Sequence, residues 1–242
     1  MPFGTARMDL RQLIGSLRSA GDVPGGAFRS GFLPAVPFVT ISRQAGAGGI
    51  TLGHALAEHL NKLEPSEHPW QCFDRELVER IAADHNLSAD LVRSLESSSH
   101  TWISEFLGGL SHSDRTPSEL AVFRRVVETM RALARAGHVI LVGLGGVLIT
   151  RDMPRGAHVR VIAPFEYRVR HLAKTDQISE RDARARVKLL DHDRQAYFRK
   201  FWPGTELSSE LFHLTLNSGM MAEADMAACL ADLVKERVPE NV

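Results

Sequence analysis

The chain has 242 residues, 44% hydrophobic and 24% charged, and its 29 basic and 29 acidic side chains cancel. That length can bury one substantial core, and the zero net charge gives no overall field toward nucleic acid or an anionic membrane surface. Only Cys72 and Cys229 are present, each within an apolar segment, which argues against a disulfide framework or a thiolate metal site and predicts two buried thiols in a reducing cytoplasm. The first residues lack the apolar stretch of about 7–15 residues that marks a secretory signal, and no run approaches the ~20 apolar residues that cross a bilayer. The expectation is a soluble, cytoplasmic protein with neither a nucleic-acid nor a membrane partner.

Residues 1–35 hold one short amphipathic stretch and then the Gly- and Pro-rich "GDVPGGAFRSGFLP", which reads as an extension or linker ahead of a domain over 36–238. From there, β-branched runs alternate with helical patterns, as in βα units around a parallel sheet. The first strand is "FVTIS" (38–42), followed by a glycine-rich turn and the helical "HALAEHL". "WQCF" (70–73) is the second strand, with the helical "RELVERIAADH" behind it. Trp102, Phe106, Leu107 and Leu110 recur at helical spacing, which suits a core or a partner face. Thr116-Pro117-Ser118-Glu119 combines an N-cap hydroxyl, proline at the first helical position and a glutamate, and predicts a helix to about Ala136, ended by Gly137. "HVILVG" (138–143) and "HVRVIA" (158–163) are the third and fourth strands. Pro164 opens the helix "FEYRVRHLA", Ser179 with Asp182 opens a second long basic helix, and "LFHLTL" (211–216) is the fifth strand. Tyr197, Phe198, Phe201 and Trp202 are placed to pack that second helix onto the domain.

The turn "ISRQAGAGGITLG" lies between the first strand and its helix, where backbone N–H groups can converge on an anion. It matches neither familiar glycine pattern. The dinucleotide form G-x-G-x-x-G, counted from Gly46 and Gly48, needs glycine where Thr51 stands. The mononucleotide form G-x-x-x-x-G-K-[ST], aligned on Gly48, puts Arg43 in place of its first glycine and Gly49 in place of its lysine. From the residues alone the turn is either a phosphate cradle or a tight structural turn. No H-E-x-x-H or G-x-S-x-G motif is present, and His54 and His59 diverge on a helix.

Four segments together resemble the cytidylate-kinase-like proteins, a degenerate branch of the P-loop nucleoside monophosphate kinases. They are "ISRQAGAGG" with "LGHALAEHL", "CFDRELVERIA", "VILVGLGG", and "APFEYRVRHL" with "ISERDARARVKLLDHDRQAYFRKFW", over roughly residues 37–235. The lysine-less glycine loop is usual in that family. The resemblance implies an α/β, P-loop NTPase-type, doubly wound five-stranded parallel sheet with helical monophosphate-binding and lid insertions, at about 75–136 and about 165–202. It implies a kinase moving the γ-phosphoryl group of ATP to a pyrimidine monophosphate of the CMP or dCMP type. Its partners would be small-molecule nucleotides and its cofactors ATP and Mg2+.

By that match, Gly46, Ala47, Gly48, Gly49, Ile50 and Thr51 would hold the donor phosphates, the Thr51 hydroxyl being the protein contact of magnesium. Asp74, Arg80, Gly143 and Gly145 would serve the acceptor, although Asp74 equally suits an N-cap and Arg80 a solvated helix face. Arg43, Arg168, Arg170, Asp191 and Arg194 would be the catalytic residues, the arginines neutralising the transferring phosphoryl group. Asp191 and Arg194, three apart, also suit an ordinary ion pair. Arg43, the one basic residue of the loop, is expected to take up part of the missing lysine's charge work. The sequence departs from the family at Leu144, where "VGRGA" would be usual. That departure and Gly49 leave two other readings open, a nucleotide-binding regulatory module of weak or no activity and a kinase of another small acceptor.

Overall fold

The computed structural model describes residues 36–84, 117–237 and, between them, Ile103 and Glu105. The extension at 1–35, the aromatic stretch at 102–110 and the Thr116 cap fall outside those residues, Ile103 and Glu105 apart. In chain order the elements are β1 (Phe38–Arg43), α1 (Gly49–Leu63), β2 (Gln71–Phe73), α2 (Arg75–Ala83), α3 (Pro117–Ala136), β3 (Val139–Val142) and α4 (Gly146–Thr150). They continue as β4 (Gly156–Ile162), α5 (Phe165–Asp176), α6 (Glu180–Phe201), a 3-10 turn (Ser209–Leu211), β5 (Leu214–Asn217) and α7 (Glu223–Lys235).

The five strands form one sheet in the order β2-β3-β1-β4-β5, and every neighbouring pair is parallel. A parallel sheet covered on both faces needs strands that are apolar throughout, and β1 and β3 are buried along almost their whole length. Val39 and Ile41 of β1 meet Leu52, Leu56 and Leu60 of α1 and Met226, Leu230 and Val234 of α7. Phe38, on the opposite face, joins Val127, Met130 and Leu133 of α3 and Val147 of α4. The spacing of Leu52, Leu56 and Leu60 places them on one stripe of α1, and each such burial is worth about 1.5–3 kcal/mol. The aromatic end of α6 packs as expected: Phe201 stacks on Phe123 of α3 at 4.0 Å between ring centres, and Trp202 meets it edge-on at 5.4 Å.

Strand boundaries differ from the sequence reading for local reasons. The β2 ladder starts one residue late because the Asn61 side chain accepts from the Trp70 N–H at 2.6 Å and donates to its carbonyl at 3.0 Å. Gly156 and Ala157 carry little strand propensity, yet pairing with Phe38 and Val39 extends β4 back to them. The run 211–216 is half strand: a 3-10 turn takes Leu211, and β5 begins at Leu214. The thiols also part company. Cys72 is half-buried with its pKa pushed up to about 12 by burial, whereas Cys229 is exposed on α7, against the expectation of two buried thiols. Among the described residues no helix is long and apolar enough to cross a membrane.

Between β1 and β4 lies a buried polar group that ties stability to pH. His158 Nδ1 is 2.8 Å from the Thr40 hydroxyl, and the His158 N–H donates to His213 Nδ1 at 2.9 Å. Burial, with repulsion from His213 and Arg237, pushes His158 from 6.5 down to about 4. A histidine held neutral in the fold but free to charge when unfolded gives stability that is complete above pH 6.5 and lost as pH falls toward 4. His213 is lowered too, chiefly by burial, so it acts in the same direction. Stability should therefore fall between pH 7 and pH 4.5, by up to about 3 kcal/mol from His158 alone, and the midpoint of thermal unfolding should drop with it. His158→Gln, which can still bond to Thr40, should flatten that pH dependence in calorimetric scans; an unchanged slope would show that other groups control it.

Candidate functional site

Parallel strands point all their C-terminal ends to one edge, and loops gather there at the point where the strand order reverses on either side of β1. The turn after β1 occupies that point. It is pinned from three sides. The Gln44 N–H donates to the Val161 carbonyl at 3.1 Å, while the Gln44 side chain accepts from Ala163 N at 3.0 Å. Ser218, just past β5, donates its hydroxyl to the Ala47 carbonyl at 2.8 Å. Behind the turn, Asp191 of α6 accepts from Ala45 N at 2.9 Å with one oxygen and from Arg168 of α5 with the other. Arg168 completes the clasp by donating to the Ala45 carbonyl at 3.1 Å.

These contacts hold the turn so that its outer amides are left over. The N–H groups of Gly48, Gly49, Ile50 and Thr51 have no acceptor among the described residues, as the first turn of a helix requires. Gly48 caps α1 in a left-handed conformation at φ 77°. Gly46, at φ 72°, lies against the Arg168 backbone, where any Cβ would overlap the Arg168 carbonyl oxygen. Thr51 is exposed on the first turn of α1. Four unbonded amides at a helix start make a site for an anion.

Beside the turn is a cavity of about 350 Å³ lined by Arg43, Ile50, Asp74, Arg75, Glu76 and Glu79. Asp74 follows β2, caps α2 by accepting from Leu77 N at 2.9 Å, as the N-cap alternative expected, and also lines the cavity. Arg75, which the sequence reading passed over, faces the cavity, bonds Glu79 at 2.8 Å and sits 5.6 Å from the centre of the Tyr197 ring. Its signal was its place one residue beyond a strand-end aspartate. Arg80 is exposed on the last turn of α2 and does not line the cavity.

Cations crowd this edge. Burial, together with repulsion from Arg194 and Arg75, pushes the Arg43 guanidinium down to about 9, with Asp74 opposing. A guanidinium keeps its proton at neutral pH, so the strain falls on the site as excess positive charge. Burial lowers Arg194 as well; its Nη1 is buried, makes no hydrogen bond and lies 3.7 Å from Asp191. Arg170 is exposed on α5 and does not line the cavity. In the basic run of α6, Arg184 pairs with Glu166 and Arg186 with Asp176, the ordinary solvated ion pairs of such a helix. At the second turn Leu144 is buried at φ 54° in the core that Val147, Phe201 and Trp202 share, and Gly145 lies against the Trp202 ring. Gly143 lies against the Arg43 guanidinium.

Arg168 thus supports the turn from behind. Arg168→Ala would leave the Asp191 carboxylate without its hydrogen-bonded cation and the Ala45 carbonyl without that bond in a buried place, which costs roughly 3 kcal/mol. The melting temperature should fall by about 6–12 °C for a domain of this size, whereas Arg80→Ala should shift it by less than about 2 °C. Differential scanning calorimetry of the two variants checks this; equal shifts would mean that the clasp contributes no stability.

The sequence matches the model of the cytidylate kinase-like family over residues 38–220. No curated protein matches it. Among solved structures, an uncharacterised protein from Eubacterium ventriosum ATCC 27560 superposes with a TM-score of 0.63 at 17% identity, over 83% of this chain and 99% of that one. A shikimate kinase from Acinetobacter baumannii, in complex with shikimate, gives a TM-score of 0.44 at 18% identity, over 84% of this chain and 95% of that one. The first likeness shows a shared fold, and the second is too loose to carry more. A family match over well more than half of the chain, on a parallel sheet whose first strand runs into a glycine turn, has one conclusion: the protein belongs to the cytidylate kinase-like family, with a P-loop NTPase-type fold.

Proposed function

We propose that the protein is a cytoplasmic phosphotransferase that moves the γ-phosphoryl group of ATP to a pyrimidine monophosphate, CMP or dCMP. The observation that carries the reading is the set of four unbonded amides at Gly48, Gly49, Ile50 and Thr51 beside a cavity edged by Arg43, Asp74 and Arg75. The amides suit the donor phosphates, and the cavity suits an acceptor delivered to the same edge. Family membership supports the reaction class. The helix pair α5 and α6 would act as a lid, bringing Arg194, whose buried nitrogen lacks a hydrogen bond, to the transferring group.

Among the described residues no three His, Cys, Asp or Glu side chains cluster as metal ligands. Magnesium would arrive with ATP, held by phosphates and water, and Thr51, exposed on the first turn of α1, would supply one protein contact. The bound metal would screen negative charge on the phosphates. The acceptor's own phosphate oxygen is the nucleophile, so the residues need only orient, neutralise and exclude water.

One observation favours a second reading, a nucleotide-binding module with weak transfer activity. Leu144 is packed into the core where the resemblance has an arginine, so that position offers an acceptor no charge. The two readings differ in turnover and agree on binding. ATP with magnesium should slow hydrogen exchange at residues 45–52, and ATP turnover should rise most with CMP or dCMP across a panel of monophosphates. Protection without turnover for any acceptor would select the binding module. No protection at all would remove the donor site.

A further inference from the structure

Gly49 stands where the mononucleotide loop pattern carries lysine, and packing explains why nothing larger stands there. A Cβ at position 49 would lie 2.8 Å from the Arg43 Cβ and 2.9 Å from its Cγ, inside the range of non-bonded carbons. Strand β1 fixes the Arg43 Cβ, so shortening Arg43 to alanine would not clear the space. One of the two positions must be glycine. At the far end of the same side chain, Gly143 leaves room for the guanidinium: a Cβ there would overlap Nη1 and come within 2.7 Å of Cζ. Two glycines from separate loops thus wall a slot that Arg43 fills.

What fills the slot has no anionic partner of its own. The Arg43 side chain makes no hydrogen bond or ion pair among the described residues, and its charged neighbours are Arg75 and Arg194 against Asp74. Arg43 also lines the cavity that touches Ile50, on the first turn of α1. The side chain therefore runs from the lysine position of the loop to the edge where donor and acceptor would meet.

We propose that positions 43 and 49 share one side-chain space, and that Arg43, rising from the strand end, makes the triphosphate contact that a lysine makes when it rises from the helix start. The inference rests on the donor-loop reading above and adds which side chain supplies the loop's cation and why it excludes the other. A planar guanidinium can also span two phosphate oxygens, which an ammonium cannot.

The test is an exchange of the two residues, read as binding of ATP and of inorganic triphosphate by calorimetry, with thermal unfolding alongside. Gly49→Lys alone should melt well below wild type and bind poorly, and Arg43→Ala/Gly49→Lys should melt as low because the alanine Cβ at position 43 still collides. Arg43→Gly should remain folded and bind roughly 10–150-fold more weakly. Arg43→Gly/Gly49→Lys should recover both stability and at least about tenfold of that affinity, and Arg43→Lys should bind between wild type and Arg43→Gly. Gly49→Lys as stable and as tight as wild type would overturn the shared space. A folded exchange variant binding no better than Arg43→Gly would overturn the shared role, as would an Arg43→Gly variant that binds like wild type. If wild type binds neither ligand, the donor-loop reading falls first and this inference with it.

Discussion

The candidate site depends on one carboxylate. Asp191 spends one oxygen on the backbone of the loop and the other on Arg168, and Arg168 returns a bond to the same loop residue, so Ala45 is gripped at both its N–H and its carbonyl. Such a clasp is strong because each of its bonds has a charged partner and its surroundings largely exclude water. Its effect is directional. With the inner side of the turn bonded to α5, α6 and the end of β5, the outer amides have no internal acceptor and must look elsewhere. The same bonds attach the two helices to the loop through the small cluster of Ala45, Val169, Ala183 and Val187. A displacement of these helices would therefore be felt at the loop amides.

Against that rigid backing, the charge on the open side is unbalanced. Arg43 and Arg194 are both depressed by burial, Arg75 repels each of them, and the nearby carboxylates are partly committed, Asp74 to the cap of α2, Glu79 to Arg75 and Asp191 to the loop. Burying like charges without enough counter-charge is unfavourable unless something else supplies it. A multiply charged anion on the loop amides would do so. The free site can thus be viewed as a fold that gives up some stability to hold an anion well, a common exchange at functional positions.

The second glycine turn shows the opposite choice. Leu144 adopts a left-handed backbone conformation that a branched-chain residue accepts only under constraint, and its side chain is held in the core with Phe201 and Trp202. Apolar packing there fastens the end of α6 to the sheet. Where the resemblance has a cation, this chain instead stabilises the helix that bears Asp191 and Arg194.

Much of this was legible in the residues. The alternation of β-branched runs with capped helices fixes a parallel α/β order, because period and capping are local properties: Pro164, Ser179 and the Thr116–Glu119 run announce helix starts from their own chemistry. The glycine turn and the strand-end Asp74 could also be read, since each follows directly from its neighbours in sequence. What could not be read is contact at long separation. Arg168 and Asp191 read as catalytic residues in the sequence, and the fold bonds both of them to Ala45, more than a hundred residues away. Arg75 rather than Arg80 faces the cavity because helix phase relative to the loop is set by packing. Cys229 and the first half of 211–216 were misjudged for the same reason, since apolar neighbours in sequence do not say which face a helix buries or where a strand finds its ladder. The sequence by itself determined which segments become strands and helices and that a loop lacking its lysine follows the first strand. Only the tertiary structure decided that the Arg43 side chain occupies the space over Gly49, because that contact depends on how a strand end and a helix start converge in three dimensions.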